Sequence, residues 1–256
     1  MLNLFTGKTP NNQIIRSFRM KNYFFFFIII TIVFGTYSWC LSASREINMV
    51  ALGDSITYGT GDPSKKGYIE KLRLKIEKAH SSPVQLHNFG VPKYTTQDIL
   101  KLLEDEEKRE TIKEAHIIVL FVGTNDFRKS AKYQFSPLNE NVKKQGKHDF
   151  IGNLHKILNR IRIDNSTAPV VIMGLYHPYT EYLNHQEIQK VLENWNSQIY
   201  LETKKFNDIH YVPTMDLFVS GKKEQYFSDS LHPNQNGYDM IANRIFEELE
   251  KIKPVY

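Results

Sequence analysis

Short apolar runs alternate with longer amphipathic segments along the chain after residue 46. The apolar runs predict β-strands, and two of them, at 117–122 and 170–173, carry no polar residue at alternate positions. Uninterrupted apolar strands are typical of parallel sheets that are covered on both faces. Five strands are predicted in all, at 49–53, 84–90, 117–123, 169–175 and 209–213.

The segments between these strands place apolar residues at helical spacing. Leu72 and Ile76 share one face of the first such segment, and Ile241 and Ile245 share a face of the last. We interpret these stripes as packing against a core, with no role in binding a cofactor. The repeated order of strand and helix predicts an α/β fold, a three-layer α/β/α sandwich with a five-stranded, mostly parallel sheet.

One long polar stretch, residues 128–149, interrupts this alternation. It is predicted to be an inserted surface loop, helical in part. A lid over a binding site is the alternative interpretation, because long loops in compact domains are often functional.

The N-terminal part of the chain differs from the rest. Residues 23–41 form a run of 19 residues without a charge, which is about the length of a membrane-spanning helix. Basic residues precede this run, so the positive-inside rule predicts a cytoplasmic basic segment at 1–22 and a domain at 46–256 outside the cytoplasm. We expect a retained single-pass anchor in the cell membrane, and the alternative is cleavage as a signal segment followed by secretion.

The net charge of +5 belongs to this N-terminal part. Residues 1–45 hold five basic and no acidic residues, which leaves 28 basic residues to balance the chain's 28 acidic ones. A neutral domain argues against nucleic acid as a partner. Basic pairs such as Lys222 and Lys223 are expected to be solvated surface charges.

Metal and disulfide chemistry have little support in the sequence. Cys40 is the single cysteine, so an intramolecular disulfide is impossible, and the nine histidines form no HExxH pair. We therefore expect no metal and no other cofactor.

Polar motifs follow the predicted strands at their carboxyl ends. Gly-Asp-Ser (53–55) follows the first strand, Gly90 ends the second and GTND (123–126) follows the third. DSLHP (229–233) follows the fifth, just before the last helix. In open α/β sheets, ligands bind beyond this edge, so these motifs are expected to lie together.

These residue types are the ones that acyl transfer requires. A serine hydroxyl is a weak nucleophile and needs an adjacent base, which a carboxylate orients in turn. Ser55 is the candidate nucleophile, His232 the candidate base and Asp229 the candidate orienting group. The candidate oxyanion donors are the backbone N–H groups of Ser55 and Gly90 and the side-chain amide of Asn125.

The four motifs resemble those of the SGNH or GDSL-type serine esterases and lipases, a family named for Ser, Gly, Asn and His in separate blocks. The resemblance extends over roughly residues 47–252 and is greatest to bacterial lipase/acylhydrolases with an N-terminal membrane or export segment. It implies a flavodoxin-like sandwich and hydrolysis of carboxylic esters through an acyl-serine, without a metal. In one departure from the family pattern, Lys93 stands where a second glycine is common.

Further residues near these motifs are candidates for supporting the site or lining a substrate pocket. Helix capping explains Asp54 and Asp126 equally well. Packing explains the aromatic candidates equally well, and a surface position explains the histidine. The full set is Asp54, Asp126, Tyr58, Phe127, Tyr176 and His177.

The sequence therefore predicts a serine esterase or lipase that hydrolyses lipid-like or short acyl esters, including lysophospholipids. A carbohydrate O-acetylesterase acting on cell-wall polysaccharide is the alternative within the same chemistry. A protein that binds lipid or glycan on this scaffold without catalysis is the alternative from another class.

Overall fold

The computed structural model of the protein describes residues 46–252, and within them five strands form one sheet. All four strand pairs are parallel, in the order β2-β1-β3-β4-β5. The predicted α/β fold is thereby confirmed, with a sheet that is wholly rather than mostly parallel. The strands are β1 (Ile47–Gly53), β2 (Val84–Gly90), β3 (Ile117–Phe121), β4 (Val170–Met173) and β5 (Ile209–Val212).

Eight α-helices occur between and after these strands in the described part of the chain. Two 3₁₀ turns, Glu140–Lys143 and Lys223–Gln225, accompany them. The helices are α1 (Ser55–Tyr58), α2 (Gly67–His80), α3 (Thr96–Leu102), α4 (Glu106–Lys113), α5 (Thr124–Ser130), α6 (Gln145–Asp164), α7 (His185–Thr203) and α8 (Gln235–Leu249).

The helices cover the sheet as two layers. The first layer contains α2 and α8, which pack against each other, while in the second α6 contacts α3, α4, α5 and α7. This division follows from the strand order, because connections between parallel strands are right-handed. The chain moves across the sheet in one direction from β1 to β2 and in the opposite direction from β2 to β5, so the connecting helices lie on opposite faces.

The core explains why the central strands lack alternation. Every residue of β3 and β4 is buried, since each strand has a helix layer on both faces. Trp195 in α7 and Tyr68 in α2 are the largest of the fully buried side chains, and they lie on opposite layers. The predicted helix stripes at Leu72, Ile76, Ile241 and Ile245 are likewise buried.

The stretch 128–149 is more integrated than a plain surface loop. Its first residues complete α5 and its last residues begin α6. Between them Phe135 and Val142 are buried, and the Phe135 ring stacks on Tyr179 with centroids 4.7 Å apart. These apolar side chains make the segment part of the second helix layer.

The predicted anchor at 23–41 lies outside the described residues. Within residues 46–252, no helix is both long enough and apolar enough to span a bilayer.

Candidate active site

The strand order brings three of the four predicted motifs side by side. β1 lies between β2 and β3, so the residues that follow Gly53, Gly90 and Phe121 meet at one edge of the sheet. Ser55 begins α1 after β1, and Asn125 lies in α5 after β3. This edge is the place where open α/β sheets bind ligands.

The turn from β1 into α1 is tight, and glycine permits it. A Cβ on Gly53 would lie 2.1 Å from Thr57 Oγ1 and 2.4 Å from the Phe121 carbonyl oxygen, so no larger residue fits without a shift. Asp54 caps the helix by accepting a hydrogen bond from Ile56 N–H at 2.9 Å. Ser55 is therefore held at the first turn of α1, where helix N–H groups lack intrahelical partners.

Ser55, His232 and Asp229 form a connected chain of hydrogen bonds. His232 Nε2 lies 3.0 Å from Ser55 Oγ, and His232 Nδ1 lies 2.7 Å from Asp229 Oδ2. Because a carboxylate only accepts, Nδ1 carries the proton and Nε2 accepts from the serine hydroxyl. The three residues predicted to form a triad therefore have the geometry that general-base activation of a serine requires.

Asp229 organises the loop that carries the histidine. Its Oδ1 accepts hydrogen bonds from the backbone N–H groups of Leu231 and His232, both at 2.7 Å. Burial alone would raise the pKa of Asp229, but hydrogen bonds from His232 and Leu231 outweigh it and lower that pKa. The carboxylate therefore stays ionised opposite the imidazole.

Tyr176, which lies three residues after β4, supports the same loop. Its hydroxyl donates to the Leu231 carbonyl oxygen at 2.9 Å, and its ring stacks on Phe121 with centroids 6.1 Å apart. The residue is buried. Tyr176 is one of the predicted support or pocket residues, and in the structure its hydroxyl bonds the backbone of the loop that carries His232.

The predicted oxyanion donors lie beside α1, and two of them already have acceptors. Gly90 N–H donates to Asn88 Oδ1 at 2.9 Å. Asn125 Nδ2 donates to the Tyr94 carbonyl oxygen at 2.9 Å and lies 3.4 Å from Asp54 Oδ2. An oxyanion at this place would therefore compete with these acceptors for the same N–H groups, and such bonds often tighten only with substrate bound.

Gly90 also has a packing reason to be glycine. A Cβ there would lie 2.5 Å from Tyr58 N and 2.7 Å from the Thr57 carbonyl carbon. The end of β2 consequently presses against the backbone of α1. Asn88 joins the two as well, because its Nδ2 donates to the Thr57 carbonyl oxygen at 3.0 Å.

The two acidic candidates have structural partners. Burial raises the pKa of Asp54 to about 7, the hydrogen bond from Ile56 N–H opposes this rise and the nearby Asp126 carboxylate adds to it. Burial also raises the pKa of Asp126, whose carboxylate accepts from Thr96 N–H and from the Thr96 hydroxyl. Asp54 thus caps α1 beside Asn125, and Asp126 fixes the start of α3.

The remaining predicted pocket residues are dispersed. Tyr58 is exposed at the end of α1, while Phe127 is fully buried against Trp195 and belongs to the core. His177 packs near His185 rather than against the triad. Lys93, the departure from the family pattern, has a positive φ of 72°, a conformation that glycine adopts more easily.

Asn88 and Tyr94 were not predicted. Asn88 offers a signal in retrospect, because an asparagine two residues before a strand-ending glycine can bond the N–H of that glycine. Tyr94 acts through its carbonyl oxygen, which no side-chain pattern reveals.

The described residues 46–252 contain no group of three or more His, Cys, Asp or Glu side chains able to hold a metal ion.

We expect Asn125→Ala to lower kcat for ester hydrolysis by about 10²- to 10³-fold, as loss of one oxyanion donor does in other enzymes. The change in KM is expected to be smaller, because the amide acts on charge that develops in the transition state. Asn141→Ala is the matched control, since the Asn141 amide only donates to the Ser130 carbonyl oxygen at 3.1 Å. Steady-state kinetics with a soluble ester measure both variants, and equal kcat values would remove Asn125 from the oxyanion site.

Comparison with known proteins agrees with this fold. Protein YpmR of Bacillus subtilis is 31% identical over 211 residues, which cover 81% of this chain and 83% of YpmR. The lipase Lip_vut3 from a goat rumen metagenome has a similar fold, with a TM-score of 0.66 and 24% identity over 78% of this chain and 95% of that one. A mutant of Axe2, an acetyl-xylooligosaccharide esterase from Geobacillus, has a TM-score of 0.61 and 16% identity over 81% and 95% of the two chains.

The model of one family matches residues 51–240, which include all four motifs. The resemblance predicted from Ser55, Gly90, Asn125 and His232 is thereby confirmed. The chain belongs to the GDSL-like lipase/acylhydrolase family.

Proposed function

We propose that this protein is a serine carboxylic-ester hydrolase in which Ser55 is the nucleophile, His232 the general base and acid, and Asp229 the group that orients the histidine. The observation that carries this proposal is the continuous hydrogen-bonded chain from Asp229 through His232 to Ser55, with distances of 2.7 and 3.0 Å. Membership of the family supports ester hydrolysis as the reaction class.

The proposed reaction has two halves. Ser55 Oγ attacks the ester carbonyl carbon while its proton passes to His232 Nε2, and the carbonyl oxygen becomes an oxyanion. Collapse of this intermediate breaks the bond to the alcohol, which takes the proton from Nε2. Water then attacks the acyl-serine with the same base, releases the carboxylic acid and returns Ser55 to its hydroxyl form.

The substrates we propose first are short or lipid-like acyl esters. A carbohydrate O-acetylester is the second candidate, and a cavity that shares Gly90 with the candidate oxyanion site favours it. This cavity, of about 400 Å³, lies along the end of β2 outside the triad, and its charged lining residues are Asp98, Lys101, Asp105 and Lys108. A charged border suits a hydroxylated alcohol better than a long alkyl chain, since burying alkyl groups beside charges leaves the charges poorly solvated.

A panel of esters tests the reaction and separates the two candidates. The purified domain is assayed with p-nitrophenyl esters from acetyl to palmitoyl, with lysophosphatidylcholine and with acetylated xylan. Rising kcat/KM with chain length supports a lipase, whereas a steep fall beyond acetyl together with release of acetate from the polymer supports the carbohydrate esterase. No turnover of any ester, with lipid or glycan still bound, would instead favour a binding protein.

We further propose that the protein is a cell-membrane protein whose catalytic domain lies outside the cytoplasm, with secretion after signal cleavage as the alternative. The uncharged residues 23–41 and the basic residues before them support this location. Cell fractionation combined with protease treatment of intact spheroplasts tests it. Digestion of a membrane-bound domain is the expected result, and a domain protected inside the cell would contradict it.

A further inference from the structure

Lys223 occupies an unusual position for a lysine. The pair Lys222–Lys223 was expected to be solvated, and Lys222 is indeed exposed, but the side chain of Lys223 has only 20% of its surface accessible. Lys223 begins the 3₁₀ turn Lys223–Gln225, and Lys222 precedes it. A lysine buried to this extent must find partners for its charge.

Three oxygen atoms surround the Lys223 ammonium group. Its Nζ donates to the carbonyl oxygen of Pro178, to Glu181 Oε2 at 2.7 Å and to the carbonyl oxygen of Ser230 at 2.9 Å. An ammonium group has three N–H donors, so all three are used. The Lys223 ammonium also lies 5.7 Å from the ring centroid of Phe227.

These partners belong to two separate parts of the chain. Pro178 and Glu181 lie in the segment between β4 and α7, whereas Ser230 lies between the two triad residues Asp229 and His232. Lys223 therefore bonds the tip of the catalytic loop to the body of the domain. Bonds to a charged donor are about twice as strong as neutral ones, which makes this connection a firm one.

The internal bonds of the catalytic loop do not replace this connection. Ser228 N–H donates to the His232 carbonyl oxygen at 2.9 Å, and Phe227 pairs with Pro233, so the loop is closed at its base. Asp229 Oδ1 bonds the backbone within the same loop. These contacts keep the loop rigid, and Tyr176 anchors it to the body of the domain at the Leu231 carbonyl oxygen. A loop held at that point can still pivot about it relative to Ser55, and Lys223 supplies the second anchor, one residue away at Ser230.

Resting on the proposed function, we propose that Lys223 is a positioning residue for catalysis, whose ammonium group sets the distance between His232 Nε2 and Ser55 Oγ. Lys223 touches no reacting atom in this role. Removing the ammonium group leaves the Glu181 carboxylate and the carbonyl oxygens of Pro178 and Ser230 without their shared donor. The negative carboxylate then repels the negative ends of these two carbonyl dipoles. A displacement of about 1 Å at a catalytic group lowers rates by about 10²-fold.

Chemical rescue of Lys223→Ala tests the proposal. We expect kcat per active site, titrated with a serine-reactive phosphonate, to fall about 10- to 100-fold while KM changes less. Propylammonium ion, which restores three N–H donors in the vacated space, is expected to recover kcat at least severalfold. Tetramethylammonium ion at the same ionic strength has no N–H group and is expected to recover none.

Lys222→Ala is the matched control, because it removes an exposed lysine from the adjacent position. Wild type and this control also establish ester hydrolysis in the same assay, so a failure of the proposed function would be seen before Lys223→Ala is interpreted. A readout independent of substrate is the proton NMR signal of His232 Nδ1–H, which is expected to broaden in Lys223→Ala and to sharpen with propylammonium.

Three results would overturn the proposal. The first is wild-type kcat per titrated site together with an unchanged His232 signal. The second is a loss of kcat that neither ammonium ion relieves, and the third is a loss that both relieve equally. A loss that neither ion relieves would mean that Lys223 only stabilises the fold. A loss that both ions relieve equally would mean that the recovery is a general effect of salt.

Discussion

Replacing Ser55 with alanine is expected to lower kcat for ester hydrolysis by about a million-fold. The hydroxyl is the group that forms the covalent bond, and nothing else within reach of His232 Nε2 replaces it in the proposed reaction. Since Ser55 is 7% exposed and small, alanine fits the same space and the fold should persist.

The same logic predicts that the triad acts as a unit. His232→Ala should cost about as much as Ser55→Ala, and the double variant should cost little more than either, because each change removes the same step. Ser197→Ala is the control, since its hydroxyl donates only to the Glu193 carbonyl oxygen on the surface of α7. Pre-steady-state and steady-state kinetics with a p-nitrophenyl ester measure the wild type and all four variants. If the fold-loss of kcat in the double variant equals the product of the losses in the two single variants, the two residues do not act in one shared step.

The second large effect is expected from Asp229→Asn, which should lower kcat by about 10⁴-fold. The structure explains why so small a change is so costly. Two backbone N–H groups point at Asp229 Oδ1, so the carbonyl oxygen of an asparagine must take that place. Its NH₂ group then faces His232 Nδ1, where Oδ2 lies 2.7 Å away in the wild type.

An amide donor at that position reverses the tautomer of the histidine. Nδ1 must then accept a hydrogen bond, so the proton moves to Nε2, which can no longer accept the proton of Ser55. Asp216→Asn is the matched control, because Asp216 pairs with Arg244 on the surface and lies outside the triad. Nitrogen-15 NMR of labelled histidine reports the tautomer directly. Activity near that of the wild type, or an unchanged tautomer, would contradict the assigned role of Asp229.

Much of this site could be predicted because its residues occur in short, ordered motifs at strand ends. The apolar runs at 117–122 and 170–173 predicted central parallel strands, and parallel strands place their carboxyl ends at one edge. The positions of Ser55 and Asn125 follow from that rule. Asp229 and His232 follow β5, and the same rule placed them with Ser55, although β5 is three strands away from β1 in the sheet order.

Other features depend on contacts that no local pattern reveals. Lys222 and Lys223 are the same residue type at adjacent positions, yet Lys222 is exposed and Lys223 bonds three oxygen atoms that lie far away in the sequence or across a loop. Residues 128–149 read as polar, but their few apolar members are enough to pack the segment onto α6 and α7. Tyr94 contributes through its carbonyl oxygen, a group that every residue has.

Labelling by an irreversible alkylphosphonate tests the central assignment most directly, because the reagent bonds only to an activated nucleophile and needs no natural substrate. Intact-protein mass spectrometry should find one adduct per wild-type chain, and peptide fragmentation should place it on Ser55. Ser55→Ala should take up none, while Ser197→Ala should react like the wild type. Equal labelling of Ser55→Ala, or an adduct on another residue of the wild type, would contradict the assignment of Ser55 as the nucleophile.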